Sequence, residues 1–179
     1  MLGNLNRVQI LELMILKSIG IKRLMFHQLM ITTIIMTSRL EGKLLLNKAR
    51  EFSNKINGID SFSISMLHKD DFFWHQGELK KAGAINSEVK KIHFEHPIKE
   101  INLVETIINL LNINNNFICY FFYEGIVTIC FHGNDFCSFL ISMFKINNSY
   151  DLSLIFKSPD KVFIINDDEY SLDIYYKIK

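Results

Sequence analysis

From residue 40 onward the spacing of apolar residues changes several times, and each change marks an element. Leu40, Leu44, Leu45, Ala49, Phe52 and Ile56 recur at helical spacing. Ser38 and Glu41 form a capping box ahead of that helix, Ser at the N-cap and Glu at N3. Glu51 and Lys55 add an i,i+4 pair, and Asn57-Gly58 supplies the stop, with Gly58 in the left-handed C′ position. The period then drops to two: Phe62, Ile64 and Met66 alternate with serines in DSFSISML, which predicts a half-buried strand. Residues 68–91 keep no period. They hold the aromatic cluster Phe72, Phe73 and Trp74 and read as a loop with strand pieces.

Helical spacing returns after Pro97, which opens a helix where its missing N–H costs nothing. Ile101, Val104, Ile107, Ile108 and Leu111 line one face of it, and Asn112 to Asn116 end it. FICYFFYE and IVTICFH then read as two strands around Glu124-Gly125. Asn134 caps DFCSFLISMFKI, where Phe136, Phe139, Leu140, Met143 and Phe144 fit a helical stripe; a strand reading also fits, because 135–146 is apolar on nearly every side. DLSLIFK, KVFIIND and YSLDIYYKI follow, joined by Ser158-Pro159-Asp160 and by Asp167-Asp168-Glu169. The expectation is an α+β fold: a mainly antiparallel sheet of about five strands with helices packed on one face.

Composition narrows the classes. With 179 residues and 49% hydrophobic, the chain is neither disordered nor in need of a disulfide staple. A net charge of +1 selects neither nucleic acid nor membrane, and basic residues form no stripe that would track phosphates. Cys119, Cys130 and Cys137 are sparse and odd in number, which fits a reducing compartment, so a cytoplasmic location is expected.

Residues 1–36 differ from the rest. They carry five of the seven methionines and a net charge of +3, against −2 for residues 37–179. The apolar run 24–36 is too short to cross a hydrocarbon layer of about 30 Å, and no A-x-A-like cleavage site follows it. Residues 1–36 therefore read as a helical extension ahead of a single α+β domain, 37–179. A start nearer Met36 and a membrane-surface stretch are the other readings.

Candidate chemistry is thin. His68, Asp70, Asp71, His75 and Glu78, with His93 and His96, are types that bind zinc or iron, but no H-E-x-x-H or comparable spacing occurs. Cys130, His132, Asp135 and Cys137 in CFHGNDFC bring a thiol near an imidazole, yet Cys119 and Cys130 alternate with aromatics on their strands, which points to burial. A small metal- or cysteine-dependent hydrolase is thus the alternative function; no cofactor is called for. Asp167, Asp168 and Glu169 form a turn that is either simply solvated or offered to a partner. Between Glu124 and Asp173 eight acids face three bases, a net of −5. An acidic edge of that kind steers a basic macromolecule and speeds encounter. Asp167, Asp168, Glu169, Tyr170, Asp173 and Tyr175 are the candidate partner-binding residues. Tyr170 and Tyr175 fall on opposite strand faces, so at most one is core.

Residues 115–178, with NDFCSFLISMF, SYDLSLIF and INDDEYSLDIYY, resemble the C-terminal half of small bacterial immunity proteins. Such proteins accompany polymorphic or contact-dependent growth-inhibition toxins. The resemblance implies binding and neutralising a cognate toxin in the cytoplasm, without catalysis. It lies in the order of a short acidic-capped helix, an S-Y-D-L-S-L strand and a strand ending in D-D-E-Y before a final aromatic strand.

Overall fold

A computed structural model describes residues 39–68, 70–82, 91–113 and 115–179. The chain divides into Met1–Leu44 and Leu45–Lys179. The helical extension 1–36, its boundary and the Ser38 cap lie outside the described residues. Helix α1 covers 39–53. It is followed by β1 (Ile59–Met66), α2 (Phe73–Ala82), β2 (Ile92–Glu95), α3 (Glu100–Leu111), β3 (Phe117–Tyr123) and β4 (Val127–Gly133). Helix α4 (Phe136–Asn147) and strands β5 (Leu152–Lys157), β6 (Asp160–Asp167) and β7 (Ser171–Ile178) complete the chain.

The fold is α+β. Its sheet has seven strands in the order β1-β4-β3-β5-β6-β7-β2, every neighbouring pair antiparallel. The sequence pattern predicts about five. All six segments that read as strands form, and the seventh strand, β2, is only four residues long and held through its pairing with β7.

Alternation decides which side chains meet which layer. Phe117, Cys119, Leu154, Phe156, Phe163 and Ile165 turn one face of the sheet into the main core, with α3 and α4 over it. Helix α4 contributes Phe136, Phe139, Leu140, Met143 and Phe144, all buried. Burying each stabilises the fold by roughly 1.5–3 kcal/mol relative to exposure. The helical reading of 135–146 therefore holds and the strand reading does not. Its cap is Asp135 and not Asn134: the carboxylate accepts from Ser138 N at 3.0 Å and from Ser138 Oγ at 2.6 Å. Asn148 closes the helix in the left-handed region.

Helix α2 packs on the other face of the sheet, where Trp74, Leu79 and Ala82 meet Val162, Ile164 and Tyr175. It takes the place, over Phe73–Ala82, of part of the loop with strand pieces expected over 68–91; residues 83–90 of that stretch lie outside the described residues. Two more boundaries differ. Helix α3 starts at Glu100 with Lys99 as its N-cap, so Pro97 lies ahead of the helix. Helix α1 ends at residue 53, five residues before Gly58. Gly58 does adopt a positive φ, +76°, but its role is contact: its carbonyl accepts from Asn134 N and Asp135 N, docking the turn on the start of α4. A Cβ there would collide with Asp135 O and Phe139 N.

Among the described residues no helix is long and apolar enough to cross a membrane.

Candidate functional site

Strand β6 ends at Asp167 and β7 begins at Ser171, so three carboxylates fall at one end of the sheet. They do not act alike. The Asp167 side chain folds back, accepting from Tyr150 N at 2.9 Å, Ser149 Oγ at 3.3 Å and His96 Nε2 at 3.0 Å. Its own amide donates to Asp151 Oδ1 at 2.7 Å. With 17% side-chain exposure, it is a clasp between β6 and the loops before β5 and after β2. Asp168 instead organises the turn: its Oδ1 accepts from Tyr170 N at 2.9 Å and from Ser171 N at 3.3 Å, while its amide donates to Ser171 O. An Asp that bonds the backbone two residues on fixes a turn without leaving the surface. Glu169 and Tyr170 stand exposed at its apex, Tyr170 at 74%.

Register brings further acids to this end. Glu95 sits opposite Ser171, and Asp151 precedes β5; both are exposed. The far end of β5, β6 and β7 carries Lys157, Lys161, Lys177 and Lys179 around Asp160, which pairs with Lys179 Nζ at 3.5 Å. This half of the sheet is therefore polarised, acidic at one end and basic at the other.

The other two candidate positions are spoken for. Asp173 lies mid-strand, one third exposed, and binds His93 Nδ1 at 2.9 Å and Lys91 Nζ at 3.9 Å. Tyr175 is the core tyrosine of the pair, 3% exposed, its hydroxyl donating to Glu78 Oε2 at 2.7 Å. Buried there, it has no surface to offer a partner. Burial, then the Glu78 bond, pushes the Tyr175 phenol up to about 12. Lys81, whose Nζ donates to Glu78 Oε1, and then Tyr175 hold the Glu78 carboxyl below its usual value. Beside them His75 is buried, with Nε2 at 3.2 Å from Phe156 O and 3.4 Å from Asp160 Oδ1; desolvation lowers its pKa. Sequence reasoning placed none of these partners together.

The residues weighed for catalysis scatter. His93 and His96 serve different carboxylates, His68 is exposed, and no group of three or more His, Cys, Asp or Glu could hold a metal ion among the described residues. Cys130 Sγ lies 3.6 Å from His132 Nε2. Burial pushes the Cys130 thiol up, the opposite of what an activated thiolate needs. Burial also raises Cys137 and, most strongly, Cys119 in the core. No family model, curated protein or solved structure matches the chain.

Proposed function

We propose that the chain is an immunity-type protein, which binds and neutralises a cognate bacterial toxin in the cytoplasm by stoichiometric contact and without catalysis. The observation that supports this reading best is the turn Asp168-Glu169-Tyr170. It is held in one shape by Asp168 and anchored from behind by Asp167, while two carboxylates and a ring face outward. A pre-shaped surface binds with less loss of conformational freedom than a mobile one. Tyrosine is enriched among residues that dominate binding energy, and carboxylates beside it steer a cationic partner. Toxins that cut nucleic acid fit as partners, since phosphate binding makes them basic. The contact centres on Asp168, Glu169 and Tyr170. Asp167 positions the turn, Asp173 lies at its margin, and Tyr175 stays in the core.

The test is co-expression with the products of the reading frames that flank this gene, one of which the reading expects to be toxic on its own. Restored growth and a 1:1 complex on size-exclusion chromatography are expected; unrelieved toxicity with no complex would remove the reading. The hydrolase alternative has the Cys130–His132 contact on its side. Stoichiometric zinc or iron in the purified protein, or turnover lost in Cys130→Ser, would put it first.

A further inference from the structure

Helix α2 is held to the sheet differently from α3 and α4. Those two bury large apolar side chains in the main core, such as Leu103, Ile107 and Leu111 from α3 and Phe136, Phe139 and Met143 from α4. The residues that α2 buries are His75, Glu78 and Ala82, at helical spacing. Its apolar contact is a separate cluster, where Trp74, Leu79 and Ala82 meet Val162, Ile164 and Tyr175. Gly77 in mid-helix lowers its helix propensity, and a Cβ there would meet nothing, so no contact requires the glycine. At the entry, Phe72 holds a φ of +58°, uncommon for a bulky residue, with its ring packed against Tyr120 and Phe122.

Polar contacts therefore carry much of the docking. His75 Nε2 lies 3.2 Å from Phe156 O and 3.4 Å from Asp160 Oδ1, so the neutral ring keeps its hydrogen on Nε2, toward both oxygens. The charged groups that face the ring are Asp160 from β6, Lys157 from β5 and Lys179 just beyond β7. Asp160 also pairs with Lys179 Nζ at 3.5 Å, and the two lysines oppose a charge on the imidazole. At 5% exposure a charged ring would lose most of its hydration, and that loss outweighs the help of Phe156 O and Asp160. Glu78 faces Lys81 on its own helix and Tyr175 and Lys177 on β7. Its ionised carboxylate accepts from Lys81 Nζ and from the Tyr175 hydroxyl.

We propose that α2 is an acid-released cover: proton uptake by His75, and by Glu78 in stronger acid, frees the helix from β6 and β7 while the sheet and its main core stay folded. Released, His75 titrates at its ordinary 6.5; docked, it titrates lower, so release is favoured as pH falls past 6.5. Glu78 acts in the same direction as pH falls past its ordinary 4.5. The sheet survives the loss because β6 keeps its ladders to β5 and β7. On the opposite face of those strands, Phe163, Ile165, Leu172 and Ile174 remain in the main core. None of Asp168, Glu169 or Tyr170 takes part, so release does not depend on the immunity reading.

The test is amide hydrogen exchange of the full chain by mass spectrometry at about pH 7.5, 6.5 and 5.5, with each rate divided by the intrinsic rate at that pH. Protection over Phe73–Ala82 should fall several-fold across the series, up to about tenfold, the limit for one proton taken up below 6.5. At every pH those amides should be at least about tenfold less protected than the amides of β3 and β4, which shows that α2 opens by itself. His75→Gln keeps a donor for Phe156 O but cannot take up a proton; with its fold checked by circular dichroism, its α2 protection should change by less than about twofold over the same range. Protection of α2 that ignores pH in the parent would overturn the proposal. So would α2 protection equal to that of β3 and β4, which means that the helix opens only when the whole chain unfolds, or a His75→Gln variant as sensitive to pH as the parent.

Discussion

Within one run of three carboxylates, the structure separates a clasp from a display. Replacing Asp167 by Ala removes the acceptor for Tyr150 N–H, for the Ser149 hydroxyl and for His96. A hydrogen bond to a charged group contributes about 1.5–3 kcal/mol when one partner is deleted, and three around one carboxylate do not add independently. At 17% exposure, water can replace part of the loss. The expected cost is about 2–3 kcal/mol. With a urea m-value of about 2–3 kcal/mol/M, the unfolding midpoint falls by roughly 1 M. Glu169→Ala, at an exposed apex, should stay within about 0.5 kcal/mol of the parent. Asp168→Ala should lie between, because its two turn bonds are exposed to water. The assay is equilibrium urea unfolding followed by circular dichroism. If Asp167→Ala and Glu169→Ala unfold at the same urea concentration, the clasp does not hold this end of the sheet and the reasoning fails.

Three further outcomes follow from the packing and the buried polar groups. Gly58→Ala combines a positive φ with overlap against Asp135 and Phe139 and should cost about 2–4 kcal/mol in thermal unfolding; Gly125→Ala, with φ +66° and open space around it, should cost only about 1–2. The Tyr175 phenol is raised from 10.0 to about 12, so its contribution is complete below pH 10 and is lost as pH rises through about 12. Tyr175→Phe should flatten that alkaline loss, and tyrosinate absorbance of the folded protein should show one phenol ionising near 12. Glu78 is held below its ordinary 4.5, so its contribution is present above that value and fades as pH falls through the folded one. Glu78→Gln should therefore be less stable than the parent at pH 7, with the difference closing in acid; a constant difference would refute the pairing.

What could be read from the chain was whatever its own neighbours decide. The alternation in YSLDIYYKI names β7 directly, whereas the stripe Phe136, Phe139, Leu140, Met143 fits a helix and, in a segment apolar on nearly every side, a strand as well, and the packing of α4 decides between them. Helix α2 hid because its inward stripe is partly polar. His75 and Glu78 point in while Phe73, 84% exposed, points out, and apart from Lys81 on the same helix the groups that satisfy the buried pair are remote in sequence: Phe156 O, Asp160 and Tyr175. The same distance concealed the division of labour among Asp167, Asp168 and Glu169. Turn chemistry places all three at the surface, and only His96, Ser149 and Tyr150 draw Asp167 inward. Alternation put Tyr170 and Tyr175 on opposite strand faces, but Tyr170 lies in the turn before β7, and only Tyr175 is on the strand, where α2 covers it. The strand order itself, which sets β3 beside β5 across α4, is encoded by no local pattern.

The proposed role of the outward acidic turn as a steering surface is tested most directly by association kinetics with whichever neighbouring gene product the co-expression test identifies as the toxin. Parent, Asp168→Lys with Glu169→Lys, and Asp167→Asn are compared by stopped flow at low ionic strength. The double charge reversal should slow association by about tenfold or more, with the difference shrinking as salt is added. An association rate unchanged by the double reversal would contradict the account.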